Sequence, residues 1–321
     1  MRIGFDIGTA VTTVVTSSGG IVYREPSAVV IDCHTGDILA MGDRAYPMIG
    51  RLPSSRTVVY PVRDGVVSNV AILEKMLSEI IRDNLHLGLL RPDVVACVSG
   101  AIKETEKQAL EGVFKSLGAR DVAFVSAPKA AAIGCGVDRS QQSGTLVINI
   151  GAGSTDMAVI AGGEICEMRS LRFGSGRLDD DIINYLKNTR DISIGELTAE
   201  KIKRRIGGAI LRREEVSLLL SGKNVITYDF TPFEVTSSEV YSAMGATLRA
   251  FLQNLTDTLS SCTPELSCDV LENGIVLTGG GARLYGMKSF LEAGTGIRVC
   301  VAENPHLACA FGVLECLRGR A

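Results

Sequence analysis

The chain has 321 residues, of which 46% are hydrophobic and 21% charged, and its net charge at pH 7 is −3. This length and composition suit a packed globular protein with two domains or one large one, and the charge balance excludes a sequence-independent grip on nucleic acid. No stretch of about 18 uncharged apolar residues is present, which excludes a membrane-spanning helix. The nine cysteines are scattered without a C-x-x-C pair, so the sequence predicts no disulfide framework or zinc site and favours a reducing cytoplasm.

The chain opens with a predicted three-stranded meander over residues 2–31, in which an apolar run leads into the glycine turn of Phe5–Thr12. The same pattern returns without a gap over residues 145–171. The matching positions are Gly8 with Gly151 and Thr12 with Thr155. Such a repeat predicts two related domains whose loops face each other and hold a phosphate chain with backbone N–H and hydroxyl donors.

After the first meander, the pattern weakens over residues 33–61, which predicts a small inserted subdomain. Regular elements then return up to the second meander. They are a helix over 73–85, a strand over 93–98, a helix over 103–117, a strand over 122–125 and a helix that starts at Pro128.

The second half repeats this order after its own meander. Helices are predicted over about 178–188, 198–206, 238–261, 284–291 and 306–317, a hairpin near 224–234, a strand that runs into a glycine turn within 273–282, and a strand over 298–301. Strands that alternate with helices in two similar halves predict an α/β protein with two sheets and a cleft between them. Ligands of such folds lie at the loops beyond the strand ends.

Two aspartates stand beside the repeated loops, Asp6 at the end of the first strand and Asp156 after the second loop. An isolated buried carboxylate is unfavourable, so each is predicted to face the cleft or a cation. Mg²⁺ in nucleotide sites keeps several waters and contacts few carboxylates. We therefore assign both as candidate catalytic, metal-facing residues that act through the ion's water; the alternative is that both are turn-forming caps.

Two further segments are candidates for contact with a flat ligand. Gly279–Gly281 follows an apolar strand, and glycine allows the backbone to approach a ligand closely. Glu200 and Lys203 are three positions apart on a predicted helix and therefore share a face. They are placed either to bracket a ribose or a base, or to form an ordinary surface ion pair.

Together these motifs resemble those of the actin/Hsp70/sugar-kinase ATPase superfamily and, within it, those of the MreB family, the bacterial actin homologues of cell-shape control. Asp6–Ala10 matches the first phosphate motif and Asn149–Asp156 the second. Glu200–Lys203 and Leu277–Ala282 match the nucleoside-contacting segments. The stretches that fit MreB more narrowly are Arg63–Val66, Ala130–Gly134, Ile194–Glu200 and Gly274–Gly281.

The resemblance implies a duplicated actin-like (ribonuclease H-like) α/β fold, with two domains around a cleft for ATP and Mg²⁺ and a smaller subdomain inserted in each. The first domain is predicted over residues 1–143, with an insertion at about 33–61 and a completing C-terminal helix at about 305–321. The second is predicted over 144–304, with a helical insertion at about 182–240. The implied nucleotide-binding residues are Gly8, Thr9, Ala10, Val11, Thr12, Gly151, Ala152, Gly153, Ser154, Glu200, Lys201, Ile202, Lys203, Gly279, Gly280, Gly281 and Ala282.

The resemblance also implies a cytoplasmic protein that polymerises with itself into paired filaments at the inner face of the cell membrane and positions the cell-wall elongation machinery. Met1 abuts the first strand, so no amphipathic N-terminal helix is predicted. Leucines at 85, 87, 89 and 90 stand where the family places an apolar loop tip, and Leu89 and Leu90 are the predicted membrane contacts. The alternative is that these leucines pack the end of the preceding helix.

Four positions depart from the family pattern. The second phosphate motif begins with Asn149 where Asp is usual, and Ala127 stands where a Glu before Pro128 helps to orient the attacking water. Val11 replaces a usual Asn, and Ala152 a usual Gly. Loss of a water-orienting group lowers the rate of hydrolysis strongly, whereas phosphate binding by backbone N–H groups survives. The sequence therefore predicts nucleotide binding with weak or absent ATP hydrolysis.

Two other functions of the same superfamily are alternatives to a filament protein. An Hsp70-like chaperone or reactivating ATPase is disfavoured because the chain ends at Ala321 without a substrate-binding domain. A small-molecule kinase needs a catalytic base that faces its substrate, and Asp64, followed by Gly65, is as easily a turn residue.

Overall fold

The computed structural model describes residues 1–85, 87, 91–138 and 140–319. The elements of the first half are β1 (Arg2–Ile7), β2 (Val11–Thr16), β3 (Gly20–Pro26), β4 (Val29–Asp32), β5 (Ile38–Met41), β6 (Arg56–Val59), β7 (Val62–Arg63), β8 (Val66–Val67), α1 (Val70–Asn84), β9 (Asp93–Val98), α2 (Glu104–Ser116), β10 (Asp121–Ser126) and α3 (Ala127–Gly134).

The second half begins with a second set of three strands and ends in a helix. Its elements are β11 (Thr145–Ile150), β12 (Thr155–Ala161), β13 (Glu164–Leu171), α4 (Arg177–Arg190), β14 (Ile192–Ser193), α5 (Glu196–Ile206), β15 (Ser217–Asn224), β16 (Phe230–Thr236), α6 (Ser237–Ser261), α7 (Pro264–Asn273), β17 (Ile275–Thr278), α8 (Met287–Thr295), β18 (Val299–Val301) and α9 (Ala308–Leu317).

Two five-stranded sheets share one topology. The first has the order β10-β9-β1-β2-β3 and the second β13-β12-β11-β17-β18. In each, an antiparallel meander is extended by two parallel strands on its first member. The duplicated meander predicted from the glycine spacing is thereby confirmed. All six residues of β11 are buried, and four of them, Leu146, Val147, Ile148 and Ile150, are apolar, as expected of a strand covered on both faces.

Helix α1 illustrates why these segments fold as they do. Apolar residues recur at helical spacing and are buried as one stripe: Leu73, Met76, Leu77 and Ile80. The Asn69 side chain caps the N-terminus by accepting a hydrogen bond from the backbone N–H of Ile72. The stripe belongs to the core of the first half, where Phe5 of β1 packs against Phe114 of α2 with ring centroids 4.9 Å apart.

Helices α3 and α9 cross at the centre of the molecule with almost no space between their backbones. A Cβ atom on Gly134 would lie 1.9 Å from the carbonyl oxygen of Ala308, and one on Gly312 would lie 1.8 Å from that of Ala130. Helix α3 follows the first sheet in the chain but packs on β11 and β12, and α9 ends the second half but packs on β1, β2 and β9. Each helix therefore covers the sheet of the other half. The domain limits at residues 143 and 304 stay a prediction.

Smaller sheets extend from both halves. Strands β5-β4-β6 form one and β14-β15-β16 another. The first meander ends at Pro26, and β4 already belongs to the small sheet; the limits of the insertion predicted at about 33–61 stay a prediction. The segment 182–240 contains three strands as well as helices, so it is mixed and not helical throughout. Strand β15 of this segment pairs with β16 over nearly its whole length.

Several helices start one to three residues from the predicted position, and α8 and α9 show the cause. Helix α8 begins at Met287 because Gly280–Arg283 forms a 3₁₀ turn and Gly286 takes a left-handed conformation ahead of the helix. The closing helix starts at Ala308, after a 3₁₀ turn at Pro305–Leu307. Within the described residues, no helix is both long enough and apolar enough to cross a bilayer.

Candidate nucleotide-binding site

The two glycine loops have the same internal hydrogen bond. The N–H of Gly8 donates to the carbonyl of Val11 at 3.0 Å, and the N–H of Gly151 donates to the carbonyl of Ser154 at 2.9 Å. Each bond closes a four-residue turn between the first and second strands of a meander. The turns that the sequence aligns are therefore equivalent in the structure.

Threonines support both loops from beneath. The hydroxyl of Thr12 lies 2.8 Å from that of Ser27, which donates to the carbonyl of Gly8 at 2.7 Å. In the second copy, Thr155 donates to the carbonyl of Phe173 at 3.1 Å. Both threonine side chains are fully buried. The side chain of Thr12, predicted as a nucleotide contact, is thus engaged in holding the loop in shape.

The two loops face each other and approach closely at Thr9 and Gly153. A Cβ atom on Gly153 would lie 2.2 Å from the hydroxyl oxygen of Thr9 and 2.8 Å from the backbone nitrogen of Asp64. A Cβ atom on Gly65 would lie 2.8 Å from that of Ser154, and the Gly65 N–H donates to the Thr9 hydroxyl at 3.3 Å. The turn between β7 and β8 therefore completes the floor of a cleft with the two predicted loops.

Asp6 is the penultimate residue of β1 and is paired in register with Thr13 and Cys97. Burial raises the pKa of its carboxyl from 3.8 to about 6, although the nearby Arg24 guanidinium opposes the rise. A carboxylate held where its charge is disfavoured is typical of a functional position.

Asp156 of β12 is fully buried and joins the two halves. Its Oδ1 accepts hydrogen bonds from the Ser99 hydroxyl at 3.2 Å, the Gly100 N–H at 2.9 Å and the Ser170 hydroxyl at 2.6 Å. Its Oδ2 is buried with no partner among the described residues. Burial raises the pKa of this carboxyl despite the three donors, so the free oxygen is suited to a cation or a bound water.

The positions that pair with these aspartates are neutral. Asn149 lies opposite Asp156 in the register of β11 and β12, as Asp6 lies opposite Thr13 in the first sheet. The Oδ1 atom of Asn149 accepts from the Thr278 hydroxyl at 3.3 Å. Over the described part of the chain, no three His, Cys, Asp or Glu side chains converge as metal ligands.

The third glycine segment packs against the second loop. Gly279 has a φ of +84°, and a Cβ atom there would lie 2.3 Å from the carbonyl oxygen of Ile150, the residue before Gly151. A Cβ on Gly281 would meet the Ile150 side chain at 2.3 Å, whereas Gly280 faces open space. Ala282 is buried. Gly280 is therefore the member of this turn that a flat ligand can approach.

The predicted nucleoside segment lies on α5, and its four residues differ in exposure. Lys203 donates to the carboxylate of Asp179 at 2.5 Å and to the carbonyl of Ser175 at 2.9 Å. Glu200 accepts from the hydroxyl of Tyr46. Lys201 is exposed, while the side chain of Ile202 is fully buried in the core and anchors the helix.

The remaining predicted positions lie apart from the loops or outside the described residues. Ala127, at the start of α3, is buried and has no carboxylate to orient water. Leu89 and Leu90 lie outside the described residues. Leu85 and Leu87 pack against the core of the first half, which matches the alternative that these leucines cover the end of α1.

Several residues that shape the site were not predicted. Ser99 and Gly100 follow β9, a strand that is far from Asp156 in sequence, and Ser170 lies on β13. The sequence could have indicated Ser99 and Gly100, because they directly follow the apolar strand β9. Loops at the ends of such strands bind ligands in α/β folds.

A sequence model of the family described as MreB/Mbl protein matches residues 1–320. The chain belongs to the MreB/Mbl family. Curated relatives include the cell shape-determining protein Mbl of Bacillus subtilis (strain 168), 35% identical over 313 residues that span 97% of this chain and 93% of Mbl. The cell shape-determining protein MreB of Escherichia coli (strain K12) is 35% identical over 316 residues, spanning 97% of this chain and 91% of MreB.

Solved structures of MreB proteins have the same fold. MreB5 of Spiroplasma citri, solved bound to AMPPNP and bound to ADP, superposes with a TM-score of 0.93 at 28% identity over 97% of this chain and 94% of that chain. A MamK double helical filament superposes with a TM-score of 0.81 at 20% identity, over 99% of each chain, and shows the likeness of fold. The actin-like fold predicted from the duplicated motifs is confirmed, and the whole-chain MreB/Mbl match does not favour a chaperone or a kinase.

Proposed function

We propose that this chain binds ATP between its two glycine loops and polymerises into filaments that help to determine cell shape by organising cell-wall synthesis. The observation that carries the proposal is the pair of equivalent loops facing each other beside Asp6 and Asp156, in a chain of the MreB/Mbl family. MreB5 of Spiroplasma citri, whose fold this chain shares, binds AMPPNP and ADP.

The phosphates would lie between the backbones of residues 8–11 and 151–154. Small residues on both loops leave backbone N–H groups accessible, and concave sets of such groups bind anions. Thr9 and Ser154 add hydroxyl donors from opposite sides. Glu200 and Lys203 would contact the nucleoside, with Gly280 and Lys201 beside it.

A hydrated Mg²⁺ fits the carboxylates at the floor. Asp156 Oδ2 is buried without a partner among the described residues, and burial raises the pKa of Asp6 to about 6. A cation would favour the charged form of both groups. The ion would neutralise the phosphate charge, while Asp6 and Asp156 would hold its waters.

Hydrolysis of ATP is proposed to be slow or absent. Ala127 places a methyl group where the family pattern has a water-orienting Glu, and Asn149 removes a negative charge beside the metal site. Loss of general-base or water-orienting help lowers the rate by about 10²–10⁴-fold. Nucleotide would then act in assembly mainly through its binding.

Filaments are proposed to lie at the inner face of the cell membrane, with Leu89 and Leu90 as its contacts and the cell-wall elongation machinery as a partner. The leucines precede Arg91, a base suited to anionic headgroups. A variant with Leu89→Ser and Leu90→Ser is expected to lose binding to anionic liposomes; unchanged binding would remove this part of the proposal.

The decisive experiment is pelleting of the purified protein with ATP and Mg²⁺ on anionic liposomes, with phosphate release followed in the same tubes. Nucleotide-dependent pelleting with negligible phosphate is the expected result. Absence of assembly together with rapid phosphate release would overturn both the filament and the slow-hydrolysis proposals.

A further inference from the structure

Two tyrosines of the small sheet of the first half reach across the mouth of the cleft. Tyr46 lies in a 3₁₀ turn between β5 and β6, and Tyr60 directly follows β6. The hydroxyl of Tyr60 donates to Glu196 Oε2 at 2.7 Å, and that of Tyr46 donates to Glu200 Oε2. Both acceptors belong to α5 of the second half.

The two acceptors lie one helical turn apart. Residues four positions apart on a helix share a face, so Glu196 and Glu200 present two carboxylates in a row to the two tyrosines. Glu196 occupies the first turn of α5, where the helix dipole favours a negative charge. Arg204, another turn along, has its Nη1 3.5 Å from Glu200 Oε1, and it leaves Oε2 to Tyr46.

Each tyrosine is held in place by its own surroundings. The guanidinium of Arg63 lies over the ring of Tyr60, 5.1 Å from its centroid, and the Ser68 hydroxyl donates to the Tyr60 carbonyl at 2.6 Å. Tyr46 follows the fully buried Ala45. Partial burial and the neighbouring carboxylates raise the pKa of both phenols, so both stay protonated donors at physiological pH.

We propose that Tyr46 and Tyr60, with Glu196 and Glu200, form a rim latch that must open before nucleotide leaves the cleft. The inference rests on the proposed nucleotide binding. A charged acceptor makes each bond stronger than a neutral one, and together they tie the small sheet to the helix that carries the nucleoside segment. Glu200 is shared, because a carboxylate accepts several hydrogen bonds and can serve Tyr46 and a ribose hydroxyl together.

The test is the dissociation rate of a fluorescent N-methylanthraniloyl ATP, chased with excess ATP, from the wild type, Tyr46→Phe and Tyr60→Phe. Phenylalanine keeps the ring and removes only the hydroxyl, so each variant is expected to release nucleotide about tenfold faster or more, the effect of one hydrogen bond to a charged group. Tyr241→Phe on α6, away from the rim, is the matched control and should release it at the wild-type rate.

A second arm identifies the partner of Tyr60. Glu196→Gln keeps an oxygen acceptor but loses the charge, so it should accelerate release less than Tyr60→Phe does. Combined with Tyr60→Phe, it should add nothing, because the bond is already absent. Additive effects would show that the two residues do not act as a pair and would overturn the latch.

Failure of the latch and failure of nucleotide binding give different results. If the fluorescent ATP binds the wild type and all three tyrosine variants release it at the wild-type rate, the latch is wrong while the proposed function stands. If the wild type does not bind it, amide hydrogen exchange of the nucleotide-free protein decides: the latch requires faster exchange over residues 42–60 in Tyr60→Phe than in Tyr241→Phe.

Discussion

Asp6 and Asp156 are carboxylates placed where burial opposes their charge. Burial raises the pKa of Asp6 to about 6 and also raises that of Asp156, whose Oδ2 has no partner among the described residues. Buried groups of this kind lower the free energy of unfolding and persist at sites that act on a ligand. The nucleotide-free protein therefore carries a stability deficit at its candidate site.

Asp6→Asn should stabilise the nucleotide-free protein at pH 7.5 by about 1–2 kcal/mol, less than the full shift implies because Asp6 keeps some contact with water. The folded pKa lies above the unfolded value of 3.8, so wild-type stability falls as the pH rises from about 4 to 6 and stays lower above that. The extra free energy of unfolding of Asp6→Asn over the wild type should therefore shrink as the pH falls to 4.5. Urea unfolding at both pH values measures it.

The control for this pH effect is Asp121→Asn, which changes an exposed carboxyl at the start of β10. Its free energy of unfolding should change between the two pH values by about as much as that of the wild type. If Asp6→Asn were destabilised equally at both pH values, burial would not be raising the pKa of Asp6.

Ala127→Glu should raise phosphate release at least about tenfold, because it restores a carboxylate that can orient water. Ala127→Gln, of similar size but without the charge, is the matched control and should raise it less. Combination with Asn149→Asp should raise the rate further. If neither variant nor the combination hydrolyses ATP faster than the wild type, these two positions do not explain slow turnover.

At the scale of elements, sequence patterns predicted what depends on near neighbours. The loop bonds from Gly8 to Val11 and from Gly151 to Ser154 span four residues, and the buried stripe of α1 follows from its own spacing. Within sheet β14-β15-β16, the predicted hairpin near 224–234 coincides with the turn between β15 and β16, whereas the start of β15 at Ser217 and its pairing with β14 were missed because they depend on partners distant in sequence. The donors to Asp156 were missed because Ser99 and Gly100 reach it from the other half.

The crossing of α3 and α9 offers the sharpest test of an element contact. Gly312→Ala should destabilise the protein by about 2–4 kcal/mol, because the added methyl meets the backbone of Ala130. Gly112→Ala in α2 is the control: a Cβ there meets nothing within 4 Å, and alanine in an open helix position should stabilise by about 0.5–1 kcal/mol. Chemical denaturation measures the free energy of unfolding of both variants. Similar values for the two would contradict the close crossing of α3 and α9.

At the scale of the whole molecule, the hairpin β15–β16 presents large apolar side chains to solvent, while its Phe233 and Val235 are buried in the core. Four large side chains are 66–82% exposed: Leu219, Ile226, Tyr228 and Phe230. Contiguous exposed apolar groups mark interaction sites, and a protein that assembles with itself needs such a surface. We expect the hairpin to contact another copy of the chain in the filament.

Phe230→Ser should raise the concentration needed for pelleting about fivefold or more, since loss of a buried aromatic contact amounts to about 1–3 kcal/mol. Leu271→Ser, which removes a 61% exposed leucine from α7, is the matched control and should pellet like the wild type. The measurement is sedimentation over a range of protein concentrations with ATP and Mg²⁺. Equal thresholds for all three proteins would show that the hairpin lies outside the contact.

The placement of α9 has a consequence for synthesis of the chain. The helix covers Val15, Cys97 and Val125 of the first sheet, and Arg2 donates to the carbonyl of Leu317 at 3.1 Å, across 315 positions of sequence. A ribosome that has translated the first 140 residues has made every strand of that sheet but not the helix that shields it. The nascent chain thus carries an uncovered apolar face until translation nears residue 317, and the N-terminal half is the part of the molecule most dependent on protection from aggregation during its own synthesis.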